Sequence, residues 1–236
     1  MPCRSCPSAV DLMTSTEKNR RIRISKDGPY LVYGGTPLSV VEVVFDDEGT
    51  AECYRMVKQY PKIETYSLCR CGQSRNKPYC DGTHAKIGFV GTETASLDPF
   101  KEGAEKLEGP NLILYDNRDL CVGARFCHRA GGIWNLTERS NDQEARKVAE
   151  EIAASCPSGR LVVCDRENGK PIEPKLEPSI QLIEDRGIAD SGPIWVRGGV
   201  PIESADGTKY KVRNRVTLCR CGRSENKPFC DGSHLD

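Results

Sequence analysis

The residues of this chain most able to do chemistry are cysteines and histidines that recur in one pattern. Residues 67–84 read SLCRCGQSRNKPYCDGTH and residues 217–234 read TLCRCGRSENKPFCDGSH, and the two blocks align without a gap. Each block offers three thiols and one imidazole, which are ligands both of zinc and of iron–sulfur clusters. The sequence therefore predicts two equivalent metal sites, with these candidate ligands: Cys69, Cys71, Cys80, His84, Cys219, Cys221, Cys230 and His234.

The spacing within each block divides the four ligands into two pairs. Cys69 and Cys71 are separated by one residue, so a tight loop can bring both thiols to the same metal ion. Asp81 is a good helix N-cap, and His84 follows Cys80 by four residues, about one helical turn. We therefore expect Cys80 and His84 to face the same way and to share a second metal ion.

Spacing alone leaves two kinds of metal site open. Three thiolates and one imidazole satisfy a tetrahedral zinc ion as well as an iron–sulfur cluster, although C-x-C is less usual for zinc than C-x2–4-C. In either case we expect Ser74 and the loop amides to donate hydrogen bonds to the sulfur atoms.

Both blocks resemble the CDGSH iron–sulfur family, which includes mitoNEET, and match its pattern C-x-C-x2-[ST]-x3-P-x-C-D-G-[SAT]-H at every defined position. The resemblance covers about residues 28–84 and 192–234. It implies a [2Fe–2S] cluster in each block, with the C-x-C pair on an inner iron and the third cysteine and the histidine on a more exposed outer iron. One-electron transfer to a redox partner and cluster transfer to an apo acceptor protein both follow from such a site. Because imidazole is the ligand most readily protonated, we expect acid to loosen the outer iron at His84 and His234.

Of the four cysteines between the two blocks, two flank a glycine-containing loop and one precedes a Pro-Ser-Gly corner: Cys121, Cys127 and Cys156. This arrangement resembles short bacterial ferredoxins and the divergent mono-cluster ferredoxin domain, which implies one [3Fe–4S] or [4Fe–4S] cluster. Ala124 stands where a ferredoxin usually has another cysteine, so His128 and Cys164 are candidates for a fourth ligand. A ferredoxin fold without a cluster is the alternative.

The elements that position the two blocks form an internal repeat. Residues 28–38 read GPYLVYGGTPL and residues 192–202 read GPIWVRGGVPI, ahead of the first and second block. The first lead-in adds a predicted hairpin, with strands at 39–45 and 51–57 around the turn DDEGT. Because mitoNEET-type domains form two-fold dimers, the resemblance implies an intramolecular pseudo-dimer in which the two halves exchange lead-in strands. Two independent domains are the alternative.

The segment between the repeats has a different pattern. A strand is predicted at 111–115 and another at 160–164. Between them, apolar residues at helical spacing predict a helix over 141–155, with Asn141 as N-cap and Glu144 as its capping-box partner. The prolines of 166–178 indicate an extended linker.

The predicted fold class is therefore α+β: two small β-rich CDGSH domains form an intramolecular pseudo-dimer and flank a ferredoxin-like α+β domain. The predicted divisions are a flexible N-terminal lead at 1–18, the first CDGSH domain at 19–100, the ferredoxin-like domain at 109–185 and the second CDGSH domain at 190–236.

Composition narrows the class of function. The chain has 34 basic and 34 acidic residues, which argues against a nucleic-acid binder that relies on bulk charge. It has no apolar run of about 20 residues for a membrane and no signal-peptide pattern in 1–26, so we expect a cytoplasmic protein with reduced thiols. It also lacks phosphate-binding and dinucleotide fingerprints. We expect a monomeric carrier rather than an enzyme; the alternatives are an oxidoreductase with its own substrate and a structural zinc-binding protein.

Three of the 13 cysteines fall outside these patterns. Cys53 lies in a predicted strand and is expected in the core. Cys3 and Cys6 are expected to be an incidental exposed pair.

Overall fold

The computed structural model describes residues 19–185 and 190–236, and this part of the chain contains three β-sheets. The predicted lead at 1–18, with Cys3 and Cys6, lies outside the described residues. The described strands are β1 (Arg21–Ile24), β2 (Tyr30–Tyr33), β3 (Leu38–Phe45), β4 (Ala51–Gln59), β5 (Tyr66–Leu68), β6 (Glu105–Glu108), β7 (Leu112–Asp116), β8 (Leu161–Asp165), β9 (Ser179–Asp185), β10 (Asp190–Arg197), β11 (Ile202–Glu203) and β12 (Arg215–Leu218). The described helices are α1 (Thr83–Lys86), α2 (Ile133–Glu138) and α3 (Gln143–Ser155), with 3-10 turns at Phe100–Gly103, Arg118–Leu120, Phe126–Gly131 and Ser233–Leu235.

The two repeat halves exchange strands. The first sheet has the order β11-β1-β2-β5, so β11 of the second half pairs in parallel with β1 of the first, with Ile22 opposite Ile202. The second sheet has the order β12-β10-β9-β3-β4, and here β3 of the first half pairs in parallel with β9, with Leu38 opposite Ile180. The second half thus contributes β11 to the first sheet, and the first half contributes the β3–β4 hairpin to the second, as the predicted pseudo-dimer requires.

Strand β9 runs alongside β10 and β3. Residues 179–185 therefore belong to a sheet of the repeat halves, although the sequence groups them with the ferredoxin-like segment at 109–185. This pairing favours a boundary ahead of residue 179. The other divisions along the chain stay predictions.

One apolar core lies between the two sheets and draws on both halves. Because side chains alternate between the faces of a strand, Ile22, Ile24, Tyr30 and Val32 point inward together. Their partners from the second half are Ile180, Leu182, Ile194, Val196, Ile202, Val216 and Leu218. A shared core of this kind couples the stability of one half to that of the other.

The β3–β4 hairpin is present where the sequence predicts it and extends two residues further, to Gln59. Cys53, however, is exposed on β4 rather than buried in the core. The expectation failed because β4 is an edge strand whose outer positions face solvent.

The middle segment forms its own sheet, with β7 between β6 and β8, and a second apolar core beneath α3. The predicted helix is present, but it begins at Gln143 because the Asp142 carboxylate accepts the amide hydrogen of Ala145 at 2.9 Å. The N-cap is therefore Asp142 and not Asn141. The helix ends before Cys156, where Pro157 cannot continue it.

The middle segment packs on both halves, on β4 of the first and on β10 and β12 of the second. Phe126 lies against Tyr54, which in turn contacts Trp195, with ring centroids 4.8 Å apart in both pairs. The buried Arg215 of β12 donates hydrogen bonds to the carbonyls of Ala153, Cys156 and Leu161. Among residues 19–185 and 190–236, no helix has the length and apolar character needed to cross a membrane.

Candidate metal centres

The first cysteine pair lies where β5 ends. The Cys69 amide donates to the Pro78 carbonyl at 2.8 Å, and the Cys80 amide donates to the Ser67 carbonyl at 2.9 Å, which folds the loop back on itself. This places the sulfur atoms of Cys69 and Cys71 3.8 Å apart. Two ligands at this separation can bind one tetrahedral metal ion, because each metal–sulfur bond is about 2.3 Å long.

The second ligand pair forms through a turn ahead of the helix. The Cys80 sulfur lies 3.3 Å from Nδ1 of His84, so the predicted pairing is present. Helix α1 begins at Thr83 with Gly82 as its N-cap, one residue later than the sequence suggests, because Gly82 adopts a left-handed conformation with φ 84°. The Asp81 carboxylate accepts the amide hydrogens of Arg75 and Thr83, at 2.9 and 3.0 Å, and these bonds hold the pKa of Asp81 below its usual range.

Ser74 braces the loop instead of the sulfur atoms. Its hydroxyl donates to the Tyr79 carbonyl at 2.6 Å and accepts the Asn76 amide hydrogen at 3.1 Å, so the expectation that it faces sulfur is wrong. The sulfur atoms accept hydrogen bonds from backbone amides instead. The Gly82 amide donates to the Cys80 sulfur at 3.5 Å, and the Arg223 amide donates to the Cys221 sulfur at 3.4 Å.

The second half repeats this geometry. The sulfur atoms of Cys219 and Cys221 are 3.7 Å apart, and the Cys230 sulfur is 3.4 Å from Nδ1 of His234. Burial raises the pKa of the Cys230 thiol to about 12, and the charges of Cys221, Asp231 and Cys121 also raise it. Such a thiol stays protonated at neutral pH unless a metal ion displaces its proton, so metal binding at this site releases protons.

The two cysteine loops meet at the centre of the pseudo-dimer. A Cβ atom added at Gly72 would lie 2.5 Å from the carbonyl oxygen of Cys221, and one added at Gly222 would lie 2.8 Å from the carbonyl oxygen of Cys71. Real Cβ atoms do not approach backbone oxygen this closely. Glycine is therefore required at both positions, and the two C-x-C pairs face each other across this contact.

The two histidine edges differ in exposure. His84 is half-buried, and a Cβ atom added at the neighbouring Gly82 would meet open space. His234 is 4% exposed, and a Cβ atom added at Gly232 would lie 2.9 Å from the carbonyl oxygen of Cys121. The middle segment thus covers the second histidine edge and leaves the first open.

The three cysteines of the middle segment are brought together. Together with residues of the loop between the first two, they line one small cavity: Cys121, Cys127 and Cys156. Burial raises the pKa of Cys127 to about 11, against the opposing effect of the Arg160 guanidinium. The strand, the C-x5-C loop, the helix and the Cys-Pro-Ser-Gly corner therefore assemble as the resemblance implies.

Arg160 belongs to this site, and the sequence reasoning missed it. Its Nη1 donates to the Cys121 sulfur at 2.9 Å. Nε and Nη2 of Arg160 donate to the Asp116 carboxylate, which raises the pKa of Arg160, and Trp134 donates to the same carboxylate at 3.3 Å. Arg160 directly follows the Cys-Pro-Ser-Gly corner, so its position was visible, but nothing in the sequence pairs it with Cys121.

The two candidates for a fourth ligand lie elsewhere. His128 is exposed, and its ring centroid lies 6.1 Å from that of Trp134. Cys164 is buried in β8 opposite Ile113, and burial raises its pKa. Of the described residues, those that line the cysteine cavity include Arg160 but neither of these two.

The donor sets fit iron–sulfur clusters. Each repeated site offers two ligand pairs, at sulfur–sulfur distances of 3.7–3.8 Å and sulfur–nitrogen distances of 3.3–3.4 Å, together with amide donors to sulfur. The middle site offers three thiols and a cation. Among residues 19–185 and 190–236, no group of three or more Cys, His, Asp or Glu side chains meets the geometry for a single metal ion.

Comparison with family models gave two matches. The model for the iron-binding zinc finger of CDGSH type matches residues 27–85 and 191–235. The model for the divergent 4Fe-4S mono-cluster matches residues 107–166. Comparison with curated proteins and with solved structures found no match.

Proposed function

Because this chain carries two CDGSH-type iron-binding domains that flank a divergent 4Fe-4S mono-cluster domain, we propose that it is a carrier protein with two [2Fe–2S] clusters that acts in electron transfer or cluster transfer. The observation that carries the proposal is the repeated pairing of ligands. In each half, two cysteines of one loop lie together, and a third cysteine lies beside a histidine. A binuclear cluster needs two protein ligands on each of its two irons.

The chain's own residues would hold such a cluster at a raised reduction potential. When bound, the cluster supplies one-electron chemistry. Replacing one thiolate by imidazole removes a negative charge, and centres with two histidines have higher potentials than all-cysteine ones. The amides of Gly82 and Arg223 donate to ligand sulfurs, which also favours the reduced state.

A third cluster in the middle domain is part of the proposal. Cys121, Cys127 and Cys156 would hold a [3Fe–4S] cluster, or a [4Fe–4S] cluster with a non-cysteine fourth ligand. The Arg160 guanidinium beside Cys121 supports it, because a partly buried cation stabilises thiolate ligands and the negative charge of a cluster.

Metal analysis of the purified chain tests the proposal directly. We expect about four irons per chain if only the [2Fe–2S] sites are filled, and about seven or eight if the middle domain is loaded too. Acid-labile sulfide should match the iron, and the reduced protein should give a [2Fe–2S] EPR signal. A colourless preparation that contains zinc would instead favour the structural zinc alternative.

A second experiment distinguishes electron transfer from cluster transfer. An electron carrier should be reduced and reoxidised by a one-electron redox partner without loss of iron, whereas a cluster donor should pass iron and sulfide to an apo acceptor protein. Turnover of a substrate by the purified chain alone would favour the oxidoreductase alternative. We propose that the protein is a monomer in the cytoplasm and that neither nucleic acid nor a membrane is among its partners. Size-exclusion chromatography can check the oligomeric state, and cell fractionation can check the location.

A further inference from the structure

Within residues 19–185 and 190–236, the middle domain contacts the ligand loop of the second CDGSH site and not that of the first. The loop between Cys121 and Cys127 lies on the histidine edge of the second half. A Cβ atom at Gly232 would press on the carbonyl oxygen of Cys121, and one at Gly123 would collide with the Leu235 side chain. The matching position in the first half, Gly82, has open space around it.

A second set of contacts joins the middle site to the second CDGSH site. Arg213 donates to the carbonyls of Ser158 and Gly159, both at 2.8 Å. Arg215 donates to the Cys156 carbonyl at 2.8 Å. Both arginines lie within eight residues of Cys219 along the chain. The Cys-Pro-Ser-Gly corner of the middle site is thus tied to the strand that leads into the second site.

The two CDGSH sites meet at their other edges. Cys71 and Gly72 abut Cys221 and Gly222 across the pseudo-two-fold axis. The second site therefore lies between two neighbours: the middle site contacts its histidine edge, and the first site contacts its C-x-C edge. No such bridge to the middle site is seen at the open histidine edge of His84 in the part of the chain that the structure describes.

We propose that the three sites form an ordered electron relay, in which the middle site exchanges electrons with the second CDGSH site and the second site exchanges them with the first. This inference rests on the proposed function, because it requires all three clusters. Each step moves one electron from a reduced site to its oxidised neighbour, without a proton and without making or breaking a bond. The first site, whose histidine edge is the less buried of the two, then exchanges that electron with a one-electron protein carrier.

EPR relaxation of the loaded protein tests the order of the sites. Replacing one histidine ligand with cysteine lowers the potential of that cluster, so His84→Cys leaves the second site as the first [2Fe–2S] centre to be reduced, and His234→Cys leaves the first site. With the middle cluster paramagnetic, we expect the second site's signal to need a several-fold higher half-saturation power than the first site's. Cys156→Ser, which removes a ligand of the middle cluster, should abolish this difference.

Two further measurements keep the test decisive. In the unmodified chain, the [2Fe–2S] saturation curve should show two phases, and in Cys156→Ser it should show one; this does not depend on the histidine variants folding. Gly232→Ala should reduce the fast-relaxing phase of this curve, whereas Gly49→Ala, with the same left-handed strain but in the β3–β4 turn away from every ligand, should leave that phase unchanged. Equal half-saturation powers at the two sites would overturn the relay while leaving the three-cluster proposal intact. About four irons with normal [2Fe–2S] signals would overturn the relay and the third cluster but not the first two, and absence of those signals would overturn the proposed function itself.

Discussion

At the scale of single residues, His84 and His234 occupy identical motifs in unlike surroundings. His84 is half-buried, whereas the middle domain covers His234. An imidazole must leave its metal before it can take up a proton, and water reaches the open ring more easily. The sequence alone predicts equal acid lability at the two sites, and the structure makes them unequal.

We therefore expect cluster loss in acid to have two phases. At about pH 6 the absorbance of the first cluster should decay before that of the second, and at about pH 8 both should be stable. His84→Cys should remove the fast phase, and His234→Cys should leave it in place. Survival of the fast phase in His84→Cys would contradict this assignment.

Asp81 provides the control for this pH window. Backbone amides lower its folded pKa, so its carboxylate stabilises the loop above the unfolded value of about 3.9 and loses this effect only as the pH falls towards the lower folded value. Its contribution is therefore constant across the range in which imidazole titrates. Asp81→Asn should speed cluster loss by a similar factor at about pH 6 and about pH 8.

Arg160 is expected to raise the reduction potential of the cluster proposed for the middle domain. Its guanidinium lies 2.9 Å from the Cys121 sulfur, and a nearby cation stabilises the reduced state, which carries one more negative charge. Arg160→Met should lower the potential by about 60–120 mV, if the bond contributes about 1.5–3 kcal/mol and about 59 mV corresponds to 1.4 kcal/mol for one electron. Arg160→Lys keeps the charge, so its reduction potential should lie between those of the unmodified chain and Arg160→Met.

A redox titration followed by EPR measures this shift. Arg166→Met is the control. Arg166 directly follows β8, as Arg160 directly precedes it, but Arg166 binds Glu108 and the Gly109 carbonyl rather than a cysteine. An unchanged potential in Arg160→Met, with the iron content retained, would show that the arginine has only a structural part.

At the scale of elements, the contact between the two cysteine loops depends on the absence of side chains. Gly72 has φ +76° and faces the Cys221 carbonyl, whereas Gly49 has φ +79° in the β3–β4 turn with open space around it. Gly49→Ala should cost only the left-handed strain, about 1–2 kcal/mol. Gly72→Ala carries the same strain and also pushes the halves apart.

We expect Gly72→Ala to lower the iron content at both CDGSH sites and to reduce the melting temperature more than Gly49→Ala does. Iron analysis and thermal unfolding of the two variants, measured side by side, test this. Similar losses in both variants would mean that the contact at the axis contributes little.

The elements were largely predictable because each carries a local signal. Alternating apolar residues and a Gly-containing turn gave the β3–β4 hairpin, and helical spacing before Pro157 gave α3. The cap moved from Asn141 to Asp142 because both residue types accept amide hydrogens equally well and only the backbone path selects one. The ligand pairs followed from spacing and resemblance.

The features that sequence could not supply are contacts between distant segments. Arg160 and Cys121 are 39 residues apart, and Gly232 and Cys121 are further still. No periodicity records such contacts. The two CDGSH motifs match at every defined position, so their sequences alone do not show that one histidine is covered and the other open.

At the scale of the whole molecule, exchanged strands and a shared core make each half complete only in the presence of the other. The first half even reaches the second ligand loop directly. Tyr30 of β2 is fully buried, and its hydroxyl donates to the carbonyls of Cys219 and Pro228, at 2.8 and 3.2 Å. Burial is the main reason that its pKa is raised well above the ordinary value, so the hydroxyl remains a donor throughout the working range of pH.

Tyr30→Phe tests whether this bridge shapes the second site. The change removes one buried donor and should cost about 1–3 kcal/mol in the free energy of unfolding. Tyr66→Phe is a matched control, because the Tyr66 hydroxyl donates to the Thr36 carbonyl within the first half, also at 2.8 Å. Both variants should lose stability, but only Tyr30→Phe should change the EPR signal of the [2Fe–2S] cluster proposed for the second site, although the residue belongs to the first half. An unchanged second-site signal in Tyr30→Phe would mean that the halves share a core without adjusting each other's ligand loops.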